Sequence, residues 1–179
     1  PFDEVLASGK PDYPFCLAWA NHDWTTKTWK NNGGTTMIAE QLYPGKEDYI
    51  NHFNVVLPAF KDHRYITVDG KPLFCIFDPY RFPDVEEFME LWRKLAKENG
   101  HEGVYFVAMC KSTTTMVRDA DGRIHRVLPN LESSEAVYKS FLNMGFDGIN
   151  SLGKSRAEML YSGKYRRLIR FALQQRFSF

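Results

Sequence analysis

Apolar residues follow one another without alternation in four short runs, at positions 15–20, 73–77, 104–109 and, more weakly, 146–149. A strand with one wet face alternates, whereas an unbroken apolar run suits a strand covered on both faces. Each run is followed by residues at helical spacing. The clearest is 84–99, where Val85, Phe88, Met89, Trp92, Leu95 and Ala96 form one face and Glu86, Glu90, Lys94 and Lys97 the other. Asp84 with Glu87 predicts a capping box at its start, and Asn99-Gly100 a left-handed ending. Tyr49, Ile50, Phe53, Leu57 and Phe60 predict an earlier helix. Val137, Phe141 and Leu142, closed by Gly145, predict a third, and Ser155 with Glu158 opens a fourth running to about Gln175.

Strand followed by helix, four times over, predicts a parallel sheet with helices packed outside it. A doubly wound nucleotide-binding sheet would carry a glycine-rich turn between a strand and its helix. None stands at the first three junctions: Gly33-Gly34 lies far beyond its strand, and Gly100 and Gly103 precede theirs. The expected fold is therefore α/β, a partial (β/α)8 TIM-like barrel of about four parallel strand-helix units, since four strands cannot close a barrel of eight. Two exceptions to the alternation read as hairpins, ITVDGKPL around Asp69-Gly70 and the segment around Asp121-Gly122.

Composition adds limits. The chain has 179 residues, 44% of them hydrophobic and 15% aromatic, enough for one domain with a substantial core. With 23 Lys and Arg against 22 Asp and Glu, no net field points to nucleic acid or to an anionic membrane. No apolar run approaches the roughly 20 residues of a membrane span. Cys16, Cys75 and Cys110 stand in apolar runs without ligand spacing and read as buried thiols, compatible with a reducing compartment and hence a cytoplasmic location.

The candidate chemistry lies where the first strand ends. LAWANHDWTTKTW carries three of the chain's four tryptophans, and the segment 21–44 is far longer than the roughly 2 to 6 residues of an ordinary strand-to-helix loop. Barrel enzymes keep their chemistry on loops leaving the carboxyl ends of strands. Asn21, His22, Asp23 and Trp24 open the segment, Trp29 follows, and Glu40-Gln41 close it. Indole rings cover the apolar faces of a sugar, while amides and carboxylates satisfy its hydroxyls. The bland alternative is that the tryptophans pack the loop onto the rim and the polar groups cap it.

Asp23 and Glu40 are the nearest pair of acids for glycosidic chemistry, with binding or structural roles as the alternative. Asp78, in CIFDPY, is placed on the same face or serves as a turn residue. His22 either donates to a sugar hydroxyl or is a surface histidine. His52 and His63 have no partner pattern for a metal, and no cofactor is implied. Asp119-Ala120-Asp121 has the spacing by which some sugar transferases hold a divalent ion, but it runs into Gly122 and reads better as a hairpin tip. Lys164, Arg166, Arg167 and Arg170 read as a solvated helix face.

The segments PFDEVLASGKPDYPFCLAWANHDWT, IAEQLYP, HFNVVLPAFKDHRYITVDGKPLFCIFDP and ELWRKLAKENG together resemble the WbsX-type family. This is a bacterial group described as glycosyltransferases and as glycoside hydrolase family 99-like. The resemblance implies a (β/α)8 barrel acting on oligo- or polysaccharide, often O-antigen or related surface glycan, with metal-independent retaining relatives. It also implies that residues 1–179 are one domain forming the middle of a larger barrel, completed by further strand units of the same protein or by another chain. Asn21, Trp24, Glu40 and Gln41 match the family pattern. His22-Asp23 replace its usual Glu-Asn, and Asp78 stands where Arg is usual. The resulting expectation is a carbohydrate-active domain with Asp23 and Glu40 as catalytic candidates. Asn21, His22, Trp24, Trp29, Gln41 and Asp78 are its substrate-binding candidates. A non-catalytic glycan-binding barrel and a nucleotide-sugar transferase are the rivals.

Overall fold

The structure, a computed structural model, describes residues 2–26, 36–110, 116–119, 121–126 and 131–151. Trp29 and the expected fourth helix lie outside them. The described elements begin with helix α1 (Phe2–Ser8), strand β1 (Leu17–Trp19), and two short strands, β2 (Trp24–Thr25) and β3 (Met37–Ala39). Helix α2 (Lys46–Phe60), strands β4 (Thr67–Val68) and β5 (Lys71–Ile76), helix α3 (Val85–Glu98) and strand β6 (Tyr105–Cys110) follow. A hairpin of β7 (Met116–Arg118) and β8 (Ile124–Arg126) then precedes helix α4 (Leu131–Asn143) and strand β9 (Gly148–Ser151).

The four apolar runs became the parallel sheet. Its order is β1-β5-β6-β9, so each strand pairs with the next along the chain, in registers such as Leu17 with Phe74, Phe74 with Phe106, and Ala108 with Ile149. Right-handed crossovers between successive neighbours place their helices on one side of the sheet. The packing agrees: one cluster holds Phe53, Phe60, Phe88, Trp92 and Phe141 from α2, α3 and α4 against Phe74, Ile76, Phe106 and Ala108 of the sheet. The result is the partial (β/α) barrel expected, not a sheet wrapped on both faces. Trp92 is fully buried, with ring centroids 4.5 Å from Phe88 and 4.8 Å from Phe74, and its Nε1–H donates to the Tyr49 carbonyl at 2.9 Å. A buried indole N–H without that acceptor would cost about 1–3 kcal/mol.

Some local expectations change. Asp84 precedes α3 but makes no side-chain cap; its Oδ2 instead accepts the Tyr49 hydroxyl at 3.2 Å, so the capping box gives way to a bond between helices. The helix ends as expected, with Gly100 at φ 90° and the His101 N–H on the Ala96 carbonyl. The hairpin of β4 and β5 turns through Asp69 at φ 49° and Gly70 at φ 72°, the left-handed pair an Asp-Gly turn supplies. Cys75 and Cys110 are buried, but Cys16 is exposed. It precedes β1 and touches Cys75 on the sheet face turned away from the helices, and that contact, after burial, helps push the Cys75 thiol up to about 11. On that face Ala18 is exposed and Leu73 and Tyr105 are half-buried.

Candidate functional site

At the carboxyl ends of β1 and β5 the chain builds a joint from residues far apart in sequence. Asn21, just after β1, is completely buried. Its Oδ1 accepts the Asp78 backbone N–H at 2.7 Å, and its Nδ2 donates to the Asp78 carbonyl at 2.9 Å and to the Tyr43 hydroxyl at 3.1 Å. The Tyr43 hydroxyl in turn donates to the Asn21 carbonyl at 3.1 Å. One amide thereby reads both backbone groups of a residue on the neighbouring strand end, the pairing that a continued sheet would otherwise give. Tyr43 is wedged against Phe82 at 4.6 Å and Trp19 at 6.1 Å, which fixes its hydroxyl.

Above this joint the segment after β1 folds back as an antiparallel ribbon of β2 and β3, where the sequence suggested an irregular loop. Asp23 ties its base, with Oδ1 accepting the Gln41 N–H at 2.8 Å. Trp24 is 49% exposed, and His22 stacks beside it at 6.0 Å while meeting Phe77 at 5.1 Å. The His22 Nδ1 lies 2.9 Å from the Asp23 carbonyl, so the ring's orientation is set locally. Glu40 is exposed, and Gln41 bonds through Nε2 to the Leu42 carbonyl at 2.8 Å. The Asp78 carboxylate is mostly buried and lies 3.5 Å from the exposed Arg81 guanidinium.

The Tyr43 phenol feels the charge of both Asp78 and Asp23. Burial pushes it above the ordinary range, opposed by the Asn21 hydrogen bond; the Asp78 and Asp23 carboxylates push it further up, while Arg81 pulls it down. Two carboxylates, a half-exposed indole and a stacked imidazole at one strand end can accept hydrogen bonds from hydroxyls, cover an apolar ring face and move a proton. The structure thus brings Asn21, His22, Asp23, Trp24, Gln41 and Asp78 together, with Asn21 turned inward as a structural joint. Sequence reasoning missed Tyr43 and Arg81. The signal for Tyr43 was its place among apolar residues directly after the polar Glu40-Gln41 pair.

Among the described residues, no three His, Cys, Asp or Glu side chains are arranged to hold a metal ion. Asp119-x-Asp121 forms the hairpin tip: Asp119 Oδ1 accepts the backbone N–H groups of Asp121 at 3.0 Å and Arg123 at 2.8 Å.

A family model described as glycosyltransferase WbsX matches residues 1–177. The chain belongs to the WbsX glycosyltransferase family. WbsX membership gives it a carbohydrate-related function. Two curated relatives, each named uncharacterized protein WxcX, come from two strains of Xanthomonas campestris pv. campestris, B100 and ATCC 33913. Each is 29% identical over 102 residues, covering 56% of this chain and 14% of the relative. The chain thus spans a small part of the curated relatives it matches. No solved structure matches. Among the described residues no helix is long and apolar enough to cross a membrane.

Proposed function

We propose that this WbsX chain is the glycan-holding part of a carbohydrate-active barrel, acting on oligo- or polysaccharide at the carboxyl ends of β1 and β5. The observation that carries the reading is the buried Asn21 amide, which ties the Asp78 backbone and Tyr43 to the strand end that carries Asp23 and the half-exposed ring of Trp24. Trp24 covers a sugar ring and His22 braces it. Asp23 and Glu40 are the groups for proton transfer or attack, and Asp78 with Gln41 binds hydroxyls. Asn21 acts at one remove, holding the Asp78 backbone. The substrate class is bacterial surface polysaccharide, processed by glycosyl transfer or hydrolysis.

On this reading residues 1–179 form one domain, the middle portion of a larger barrel. The parallel registers leave β1 and β9 each with one side unpaired among the described strands, and Ala18 stays exposed on the sheet face opposite the helices. Further strand units would pair those edges and cover that face. A non-catalytic glycan-binding role has one observation in its favour, the engagement of Asp23 with the Gln41 backbone.

Turnover decides between the two. Polysaccharide and activated-sugar substrates are to be incubated with the full-length protein and with Asp23→Asn and Glu40→Gln. The enzymatic reading expects a loss of at least about a hundredfold in released or transferred sugar for one of them. Turnover intact in both variants would remove these residues from the chemistry.

A further inference from the structure

The strand-end site continues across the sheet face that is turned away from the helices. Ile76, Ala108 and Ile149 pack toward the helices, so by the alternation of a strand the residues that follow them, Phe77, Met109 and Asn150, face the other way. The ladder sets these three abreast. Ile76 pairs with Ala108, which puts Phe77 beside Met109, and Met109 pairs with Asn150. Phe77 meets His22, the ring stacked beside Trp24, at 5.1 Å, so the row starts inside the candidate site. Asn150 is its far end, two strands on and roughly 10 Å away at the usual strand spacing.

Below this row the same face is closed. Cys75 and Val107 are buried, and the Tyr105 ring lies against Gly148, where an added Cβ would come within 3.2 Å of it. The Tyr105 hydroxyl is tied down as well, donating to the Asp147 carbonyl at 3.0 Å. Within the row, half-buried Phe77 and Met109 offer an apolar, polarisable surface for C–H groups, and the exposed Asn150 presents an amide that both donates and accepts. Asparagine is depleted in strands, yet here it ends an otherwise apolar row. A further strand on the free edge of β9 would leave the two faces of β9 as they are. We propose that Asn150 binds the second sugar of the glycan, next along from the sugar held on Trp24, so that the site takes a disaccharide or longer chain. Phe77 and Met109 form the floor between the two sugars. This rests on the glycan-holding reading above and adds the direction in which the chain lies, from β1 across β5 and β6 to β9.

The test separates the two sugars. Calorimetry on the full-length protein and its Asn150→Ala and Trp24→Ala variants uses methyl glycosides of glucose, galactose, mannose and rhamnose and the α- and β-linked disaccharides of the same sugars, with unfolding midpoints on each sample. Wild type is expected to bind a disaccharide more tightly than the matching methyl glycoside. Asn150→Ala is expected to weaken the disaccharide about fivefold, as the loss of one neutral hydrogen bond, and to leave the methyl glycoside unchanged, whereas Trp24→Ala weakens both. Asn150→Val, which suits a strand, should act as Asn150→Ala does. Unchanged disaccharide affinity in these folded variants, or an equal loss for both ligands, overturns the assignment of Asn150 and leaves the glycan reading standing. Binding that Trp24→Ala does not affect, or no binding by any of these sugars, removes the glycan reading and the proposal with it.

Discussion

The two ends of the sheet use carboxylates in opposite ways. At the amino end, Asp147 precedes β9 and is fully engaged: Oδ2 accepts Arg93 at 2.8 Å and the Phe106 N–H at 2.9 Å, while Arg93 also covers the Phe106 ring at 5.2 Å. Its charge is neutralised and its geometry fixed by two strands and a helix. At the carboxyl end, Asp23 and Glu40 are exposed, and the Asp78 carboxylate lies 3.5 Å from the guanidinium of a 70% exposed Arg81. Asn21 does the structural work there with a neutral amide. The difference teaches where each end's polar groups are directed: into the fold at one end, outward at the strand ends at the other, the arrangement expected of barrels that separate stability from chemistry.

Both ends hang on the aromatic layer between sheet and helices, so its loss is the largest expected effect. Trp92→Ala should cost about 3–5 kcal/mol in urea-induced unfolding, since it leaves a cavity and removes the indole N–H from the Tyr49 carbonyl. Next comes the amino end: Asp147→Ala leaves a buried Phe106 N–H without its acceptor and takes from Arg93 its carboxylate, leaving it the Gly145 carbonyl at 2.7 Å, for about 2–3 kcal/mol. Asn21→Ala should follow at about 2 kcal/mol, unpairing the Asp78 N–H and leaving its carbonyl with the Arg81 N–H at 3.3 Å, and should weaken glycan binding through misplacement of Asp78. Asp23→Asn and Glu40→Gln stand last, within about 0.5 kcal/mol of wild type, although one of them is expected to lower turnover on the enzymatic reading. A cost for Asp23→Asn as large as that for Asp147→Ala would break the comparison.

The aromatic layer also carries a titration. His52 lies 4.7 Å from Trp19 and 5.0 Å from Trp92, and burial lowers its pKa below 6.5 despite the opposing charge of Asp48. The unfolded chain therefore binds the proton more readily. Stability is full above pH 6.5 and is lost as pH falls through the lowered folded value. His101 is lowered too, by burial and Lys61, and acts in the same direction. Unfolding midpoints measured from pH 8 to pH 5 should fall, and His52→Leu should flatten part of that fall; an unchanged slope would take His52 out of the account.

What the sequence shows of this molecule follows the range of the forces involved. The four parallel strands and the helix Val85–Glu98 were legible because apolar runs and helical spacing are local patterns imposed by burial. Helix α1 and the β2–β3 ribbon were not, because each is short and neither alternates. The candidate residues at the first strand end were legible as types, but the Asn21 joint was not. It links positions 57 apart, and no spacing rule announces a side chain that substitutes for sheet pairing. Likewise Asp84 carries a capping signature, yet Tyr49 from another helix claims its carboxylate.

The central claim is that the exposed Trp24 beside Asp23 and Asp78 holds a glycan. Its most direct test is glycan affinity of the full-length protein and its Trp24→Ala variant by calorimetry, with unfolding midpoints measured on the same samples. The account predicts affinity lower by at least about fivefold with an unchanged midpoint. Equal affinity in a folded Trp24→Ala variant would contradict it.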